Sequence, residues 1–179
     1  MRLGDLARLT ALVGRLGRRP QPGPDPRVLE EQGLEAGGVR FDRTLPRREL
    51  RAVVVALHGV TAAGGRDGRL VHFGRSLARS GVACYLPTLS GLAGCRWDPA
   101  DLAPVAAVAA AAADEHRRQV GLIGFCYAAS YALLAAARPE LAPRVSFVLG
   151  FGAYASLEDE AHAGEIGRAS CRERVLCVV

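Results

Sequence analysis

Cys126 is the residue of this chain whose type and setting best suit covalent chemistry. It stands in the stretch Gly124-Phe125-Cys126-Tyr127-Ala128, between a predicted strand and a predicted helix. A sharp strand-to-helix turn strains the backbone of its central residue, and the residues two positions away must be small to avoid collision. Gly124 and Ala128 meet that requirement. The pattern predicts a nucleophile elbow, with Cys126 at a helix N-terminus where the dipole favours the thiolate.

Attack by a thiolate on a carbonyl group also needs donors for the oxygen that becomes negatively charged. The turn at Cys126 is expected to aim the backbone N–H of Tyr127 at that oxygen. A second donor is expected from the loop that opens with His58-Gly59-Val60-Thr61. Val60, or otherwise Thr61, is the residue whose N–H would complete this oxyanion hole.

The sequence offers few candidates for the base that would activate Cys126. Three residues, Asp159, Glu160 and His162, follow the cysteine in the order nucleophile, acid, histidine. They all lie in one polar segment, whereas the acid and the histidine normally follow different strands. We therefore do not expect Asp159 and His162 to form a triad with Cys126.

The elements that would position these residues alternate along the chain. Strands are predicted at 38–45, 52–59, 81–89, 119–125 and 144–152, and helices at 70–80, 98–118 and 127–137. Two strands followed by repeated strand and helix units predict a mostly parallel sheet covered by helices on both faces. Ligands of such sheets bind beyond the carboxyl ends of the strands.

With these motifs in this order, the chain resembles the α/β-hydrolase superfamily and is most similar to bacterial dienelactone-hydrolase-like and esterase-like members. The resemblance rests on LHG followed by a Gly-rich loop, then YLPTLSG, then GFCYA, and it covers about residues 38 to 157. It implies a Ser or Cys nucleophile, a later Asp or Glu, a final His and no cofactor. It also implies that His58 and Gly59 support the oxyanion loop, and that the substrate is a small molecule with an ester, lactone or related acyl bond.

Four segments are expected along the chain: an amphipathic helix at 1–19, a Pro/Gly-rich linker at 20–37, a partial α/β-hydrolase domain at 38–164 and a non-native tail at 165–179. The N-terminal helix carries leucines on one face and arginines on the other. We expect it to pack on protein, with peripheral contact to an anionic membrane as the alternative.

The tail is expected to be foreign because IGRASCRERV, at 166–175, reads as a translated sequencing adapter. We therefore expect a fold truncated after about the sixth strand, with the strand at 144–152 as an unprotected edge. The chain as given is expected to be inactive for lack of the Asp and the His.

The distribution of charge and the spacing of cysteines and histidines argue against two classes of function, nucleic-acid binding and metal binding. The net charge of +5 is concentrated at the ends, because residues 21–165 hold fifteen Arg and sixteen acidic residues, a balance of −1. A near-neutral body argues against nucleic-acid binding. The five cysteines and four histidines show no metal-ligand spacing, and an odd, scattered set of cysteines is typical of reduced thiols in the cytoplasm.

Three other interpretations stay open. Cys126 is an inert buried cysteine if it lies inside the sheet. A chain without the acid and the histidine is also compatible with a non-catalytic protein of the same scaffold that binds a small molecule or a partner. Residues 150–155 match the dinucleotide-binding pattern G-x-G-x-x-A, although no helix, strand and ribose-binding acid are predicted after it.

Overall fold

The computed structural model describes residues 25–152 and the backbone of Val175–Val178. The strands are β1 (Val28–Ala36), β2 (Val39–Pro46), β3 (Ala52–Leu57), β4 (Val82–Pro87), β5 (Val120–Phe125), β6 (Val145–Phe151) and β7 (Val175–Val178). The helices are α1 (Gly68–Arg79), α2 (Ser90–Ala93), α3 (Leu102–His116) and α4 (Ala128–Ala136). The helix predicted at 1–19 lies outside the described residues.

All seven strands form one sheet in the order β1-β2-β4-β3-β5-β6-β7. The central strands β4, β3, β5 and β6 run parallel, while β1, β2 and β7 pair antiparallel at the two sides. The mostly parallel sheet predicted from the sequence is therefore confirmed. Its parallel strands bring the loops after β3, β4, β5 and β6 to one edge, where ligands of such sheets bind.

Strand β1 corrects the prediction of a linker at 20–37. Residues 28–36 are a strand, joined to β2 by a hairpin in which Ala36 pairs with Val39. Gly37 and Gly38 both have positive φ, 57° and 75°, as a two-residue hairpin turn of this kind requires. The strand shows little alternation of apolar and polar residues because it lies at the sheet edge, so periodicity failed to reveal it, although the Gly-Gly pair is a hairpin signal.

The far edge of the sheet also differs from expectation. The strand β6 does not end the sheet, because the backbone of Val175–Val178 pairs antiparallel with it, from Val148 opposite Val178 to Phe151 opposite Val175. A short apolar run rich in valine is typical of a strand, whatever its origin. β6 is therefore hydrogen-bonded on both sides.

Helices cover both faces of the sheet, and the sheet separates the core into two clusters. On β3, Val53, Val55 and Leu57 face the cluster that includes residues of α3 and α4. Val54 and Ala56, between them, face the cluster that includes residues of α1. A strand buried on both faces explains the continuous apolar run in the sequence. Among the described helices, none has the length and apolar character that crossing a bilayer requires.

Candidate active site

Cys126 lies at a tight turn between the end of β5 at Phe125 and the start of α4 at Ala128. Its φ is 56°, a left-handed backbone conformation that residues with a Cβ rarely adopt. The turn is fixed by hydrogen bonds, because the N–H of Cys126 donates to the carbonyl of Phe151 at 2.7 Å and its carbonyl accepts from the N–H of Ala129 at 3.0 Å. Strain of this kind persists where surrounding structure holds it in place.

The small neighbours of Cys126 are required by close backbone contacts. A Cβ added to Gly124 would lie 2.4 Å from the Cα of Ala129 and 2.5 Å from the carbonyl oxygen of Ala128. Ala128 is fully buried, so a larger side chain there has no space either. The turn brings the strand and the first turn of the helix so close together that glycine is needed on the strand side.

Two other loops meet the turn at Cys126. A Cβ added to Gly59 would lie 3.2 Å from the Cβ of Cys126, so the loop after β3 passes directly beside the cysteine. Gly152, which follows β6, has a φ of 64°, and its Cβ position is 4.0 Å from the Cα of Cys126. The cysteine therefore stands where the carboxyl ends of β3, β5 and β6 converge, and not inside the sheet. Its side chain is half-buried.

His58 is buried, and both of its ring nitrogens make hydrogen bonds to the backbone. Nε2 accepts from the N–H of Leu89 at 2.9 Å, so Nδ1 carries the proton and donates to the carbonyl of Gly59 at 2.7 Å. Burial lowers the pKa of His58, which keeps the ring neutral as this pair of bonds requires. The imidazole is thus occupied in joining the loop after β3 to the loop after β4.

The bond from His58 has a consequence for Val60. The carbonyl of Gly59 and the N–H of Val60 belong to one planar trans peptide, in which they point in opposite directions. When His58 holds the carbonyl on its own side, the N–H of Val60 is turned to the other side. Val60 is 43% exposed, as expected for a residue at the open end of the sheet.

Tyr127 occupies the N-cap position of α4 with φ −56° and ψ −27°, so it already has helical geometry. The N–H of Cys126 donates to the carbonyl of Phe151, and Tyr127 carries the next amide of the turn. The first N–H groups of a helix point out along its axis and attract negative charge. The sequence predicts this amide as one oxyanion donor, and that role stays a prediction.

The other predicted chemistry is not brought to the turn by the described part of the chain. Asp159, Glu160 and His162 lie outside the described residues. His116 contacts Tyr85 instead, with 2.9 Å between its Nε2 and the phenol oxygen. Within the same described ranges no group of three or more His, Cys, Asp or Glu side chains is placed to hold a metal ion.

Sequence reasoning missed the part played by the end of β6. Phe151 accepts the hydrogen bond that closes the turn, and its ring stacks on that of Phe125 with centroids 5.2 Å apart. Gly152 sits against the cysteine backbone, which gives the Gly-Phe-Gly stretch a structural reason unrelated to dinucleotide binding. The signal was the glycine directly after a strand, a position where close backbone approach is common.

Known proteins resemble this chain in fold. No family model and no curated protein sequence matches the chain. Among solved structures, a dienelactone hydrolase from Anabaena variabilis is similar with a TM-score of 0.59 and 19% identity, over 71% of this chain and 64% of that one. A thermostable carboxyl esterase from Bacillus coagulans gives 0.57 and 14%, over 79% and 49%. An esterase from Pyrococcus furiosus gives 0.55 and 14%, over 86% and 61%.

These similarities show that the chain has the α/β-hydrolase fold, as the sequence predicted. The chain spans less than two thirds of the length of each of these three structures. The mostly parallel sheet with helices on both faces agrees with the fold class that the sequence predicted.

Proposed function

We propose that this protein belongs functionally with hydrolases of small-molecule esters, lactones or related acyl compounds, and that Cys126 is the nucleophile. The observation that carries the proposal is the left-handed turn at Cys126, placed directly beside the Gly59–Val60 loop at the carboxyl edge of the sheet. Support for the class of substrate comes from the similar structures, whose names are those of a dienelactone hydrolase and of esterases.

The first chemical step would be attack by the Cys126 thiolate on the carbonyl carbon of the substrate. A C–S bond forms, and the electron pair of the C=O bond moves onto oxygen. The N–H groups of Val60 and Tyr127 donate to this oxyanion, and each such donor is worth roughly 10²–10³-fold in rate. When the C=O bond re-forms, the C–O bond to the leaving group breaks, and the alkoxide takes a proton to become an alcohol.

The second step would be hydrolysis of the resulting thioester by water, which returns the proton to the sulfur and releases the acid. This step needs a base, and relatives of this fold obtain it from a histidine paired with an acid. The proposal for the described residues therefore concerns acylation of Cys126, with turnover depending on that base. A thiol nucleophile also fits the reducing cytoplasm expected from the cysteine pattern.

His58 has a positioning role in this proposal. Its Nδ1–H holds the Gly59 carbonyl, and this orients the Val60 N–H as a donor. Its neutral form is needed for the bond from the Leu89 N–H, so it does not serve as the general base. A base must reach the proton that it removes, and both nitrogens of His58 are already occupied.

The proposal is tested by acylation with p-nitrophenyl acetate, a small activated ester. We expect release of close to one equivalent of nitrophenolate per protein chain, with one acetyl group found on the peptide that contains Cys126 by mass spectrometry. The Cys126→Ala variant should lose both signals. Cys95→Ala is the matched control, because Cys95 is an exposed cysteine at positive φ on another loop, and this variant should keep both.

Two results would contradict the proposal. One is labelling of Cys126 and Cys95 at equal rates, which would mean that the turn gives the sulfur no advantage. The other is the absence of acylation in folded protein while the ester still binds, which would favour the non-catalytic, small-molecule-binding interpretation.

A further inference from the structure

A cavity at the amino-terminal end of β4 is lined mainly by arginine. Its volume is about 330 Å³, and its lining residues are Arg27, Arg48, Ala78, Arg79 and Gly81. Cavities that bind small molecules begin at about 300 Å³, so the size suits a small organic ligand. None of the five lining residues is acidic.

The three arginines come from three separate elements. Arg27 directly precedes β1, Arg48 follows β2, and Arg79 is the last residue of α1. The hairpin brings the first two together, because the N–H of Arg47 donates to the carbonyl of Arg27 at 3.3 Å. Their convergence is therefore a product of the tertiary structure, unlike a run of basic residues on one helix.

The charges around the cavity do not cancel. Arg79 forms an ion pair with Asp25. The nearby carboxylate of Glu49 is paired with Arg51 at 3.1 Å. Within residues 25–152, the guanidinium groups of Arg27 and Arg48 form no ion pair with a carboxylate, although the backbone N–H of Arg27 donates to the Asp25 carboxylate at 3.0 Å, and both residues are exposed. Two positive charges remain to attract an anion.

Gly81, one of the lining residues, is in close contact with the segment that follows β2. Gly81 has a φ of 90°, and a Cβ there would lie 2.9 Å from the Cδ of Arg51 and 3.0 Å from the carbonyl oxygen of Glu49. The Arg51 N–H donates to the Gly81 carbonyl at 2.7 Å. A glycine at this position therefore allows the residue after α1 to lie against the segment that carries Arg48.

The C-terminus of α1 also points toward this region, and its dipole by itself repels anions. Two of its last carbonyls are already occupied, because Leu77 accepts from the N–H of Ser80 at 2.8 Å and Ala78 accepts from the N–H of Gly81 at 3.0 Å. With these carbonyls capped, the guanidinium groups set the sign of the local charge.

We propose that this cavity binds a phosphate-bearing small molecule through Arg27 and Arg48. Guanidinium groups match phosphate because their planar N–H donors form paired hydrogen bonds with two oxygens. The cavity lies at the start of β4, whereas Cys126 follows the end of β5, and the length of a six-residue strand separates the two ends by about 20 Å. The site is therefore separate from the proposed acyl site, and its ligand is not the acyl substrate.

The test is titration of the whole chain with inorganic pyrophosphate in a calorimeter, at constant ionic strength. We expect saturable binding with one site, weakened at least tenfold in the Arg27→Ala/Arg48→Ala double variant. Arg27→Lys/Arg48→Lys keeps the charge but loses the paired donors, so it should bind several-fold more weakly than the original chain. Circular dichroism verifies that each variant is folded.

Arg40→Ala/Arg96→Ala is the matched control, because it removes the same charge from two exposed arginines outside the cavity. It should leave pyrophosphate binding unchanged. Equal weakening in both alanine double variants would overturn the proposal, since it would mean that only the total charge matters. Absence of saturable binding to the original chain would overturn it as well.

Discussion

Cys84 and Cys126 have the same side chain and opposite settings. Cys84 lies in the middle of β4, fully buried, and burial raises the pKa of its thiol far above the ordinary value. Cys126 lies one residue beyond the end of β5, half-buried, in a left-handed turn beside the Gly59 loop. The position of a residue along a strand therefore decides whether its thiol is enclosed in the core or lies at the edge of the sheet where the loops meet.

The largest difference between the two cysteines is expected in their reactivity. With a thiol reagent and folded protein, Cys126 should be modified at least about 1,000-fold faster than Cys84, because Cys84 reacts only when the sheet opens. Peptide-resolved mass spectrometry after timed labelling measures both rates. In urea the two rates should become similar, and comparable rates in the folded protein would remove the contrast.

Glycines beside the two cysteines offer the next test. Gly124→Ala places a Cβ within 2.5 Å of the backbone of α4 and should lower the free energy of unfolding by about 3 kcal/mol. Gly74, on α1, approaches Cys84, and a Cβ there would meet the side-chain oxygen of Thr44 at 3.0 Å. Gly74→Ala should change stability by no more than about 1 kcal/mol, because the better helix propensity of alanine offsets the contact.

Urea unfolding of the two alanine variants measures both values. A small loss for Gly124→Ala would mean that the strand and helix at the turn can separate easily, and the strained geometry at Cys126 would then lack its support.

Backbone strain predicts opposite signs at the two cysteines. Glycine adopts a φ of 56° without penalty, so Cys126→Gly should be more stable than Cys126→Ala by about 1 kcal/mol. In the extended strand at position 84 glycine has no such advantage, and Cys84→Gly should be less stable than Cys84→Ala by about 0.5–1 kcal/mol. Chemical denaturation of the four variants gives both differences, and the same sign at both positions would refute the role of strain.

The smallest effect concerns the neighbour of Cys84. Thr44 pairs with Cys84 across β2 and β4, and its hydroxyl oxygen is buried with no hydrogen-bond partner in the described part of the chain. Thr44→Val keeps the shape and removes the hydroxyl, so we expect a gain in stability of up to about 1 kcal/mol. Thermal unfolding measures it, with Thr88→Val as a control that should lose stability, because the Thr88 hydroxyl accepts from the Gly65 N–H at 3.0 Å.

Much of the architecture was predictable because it is encoded locally. Buried strands such as 52–57 are continuous apolar runs, and the small residues around Cys126 specify a tight turn without reference to distant parts of the chain. The hairpin of β1 was missed because an edge strand needs no apolar face. Local sequence patterns therefore predict the turn at Cys126 and the buried strands. They do not predict the strands at the edges of the sheet.

The sequence by itself determined the five strands from β2 to β6 and the three longer helices, the position of Cys126 between β5 and α4, and the need for a small residue at 124. Only the tertiary structure decided that Gly59 and Gly152 lie against the cysteine, that His58 bonds to Leu89, and that arginines from separate elements share a cavity. The physical reason is that steric limits act between consecutive residues, whereas strand pairing brings together residues that are remote in sequence.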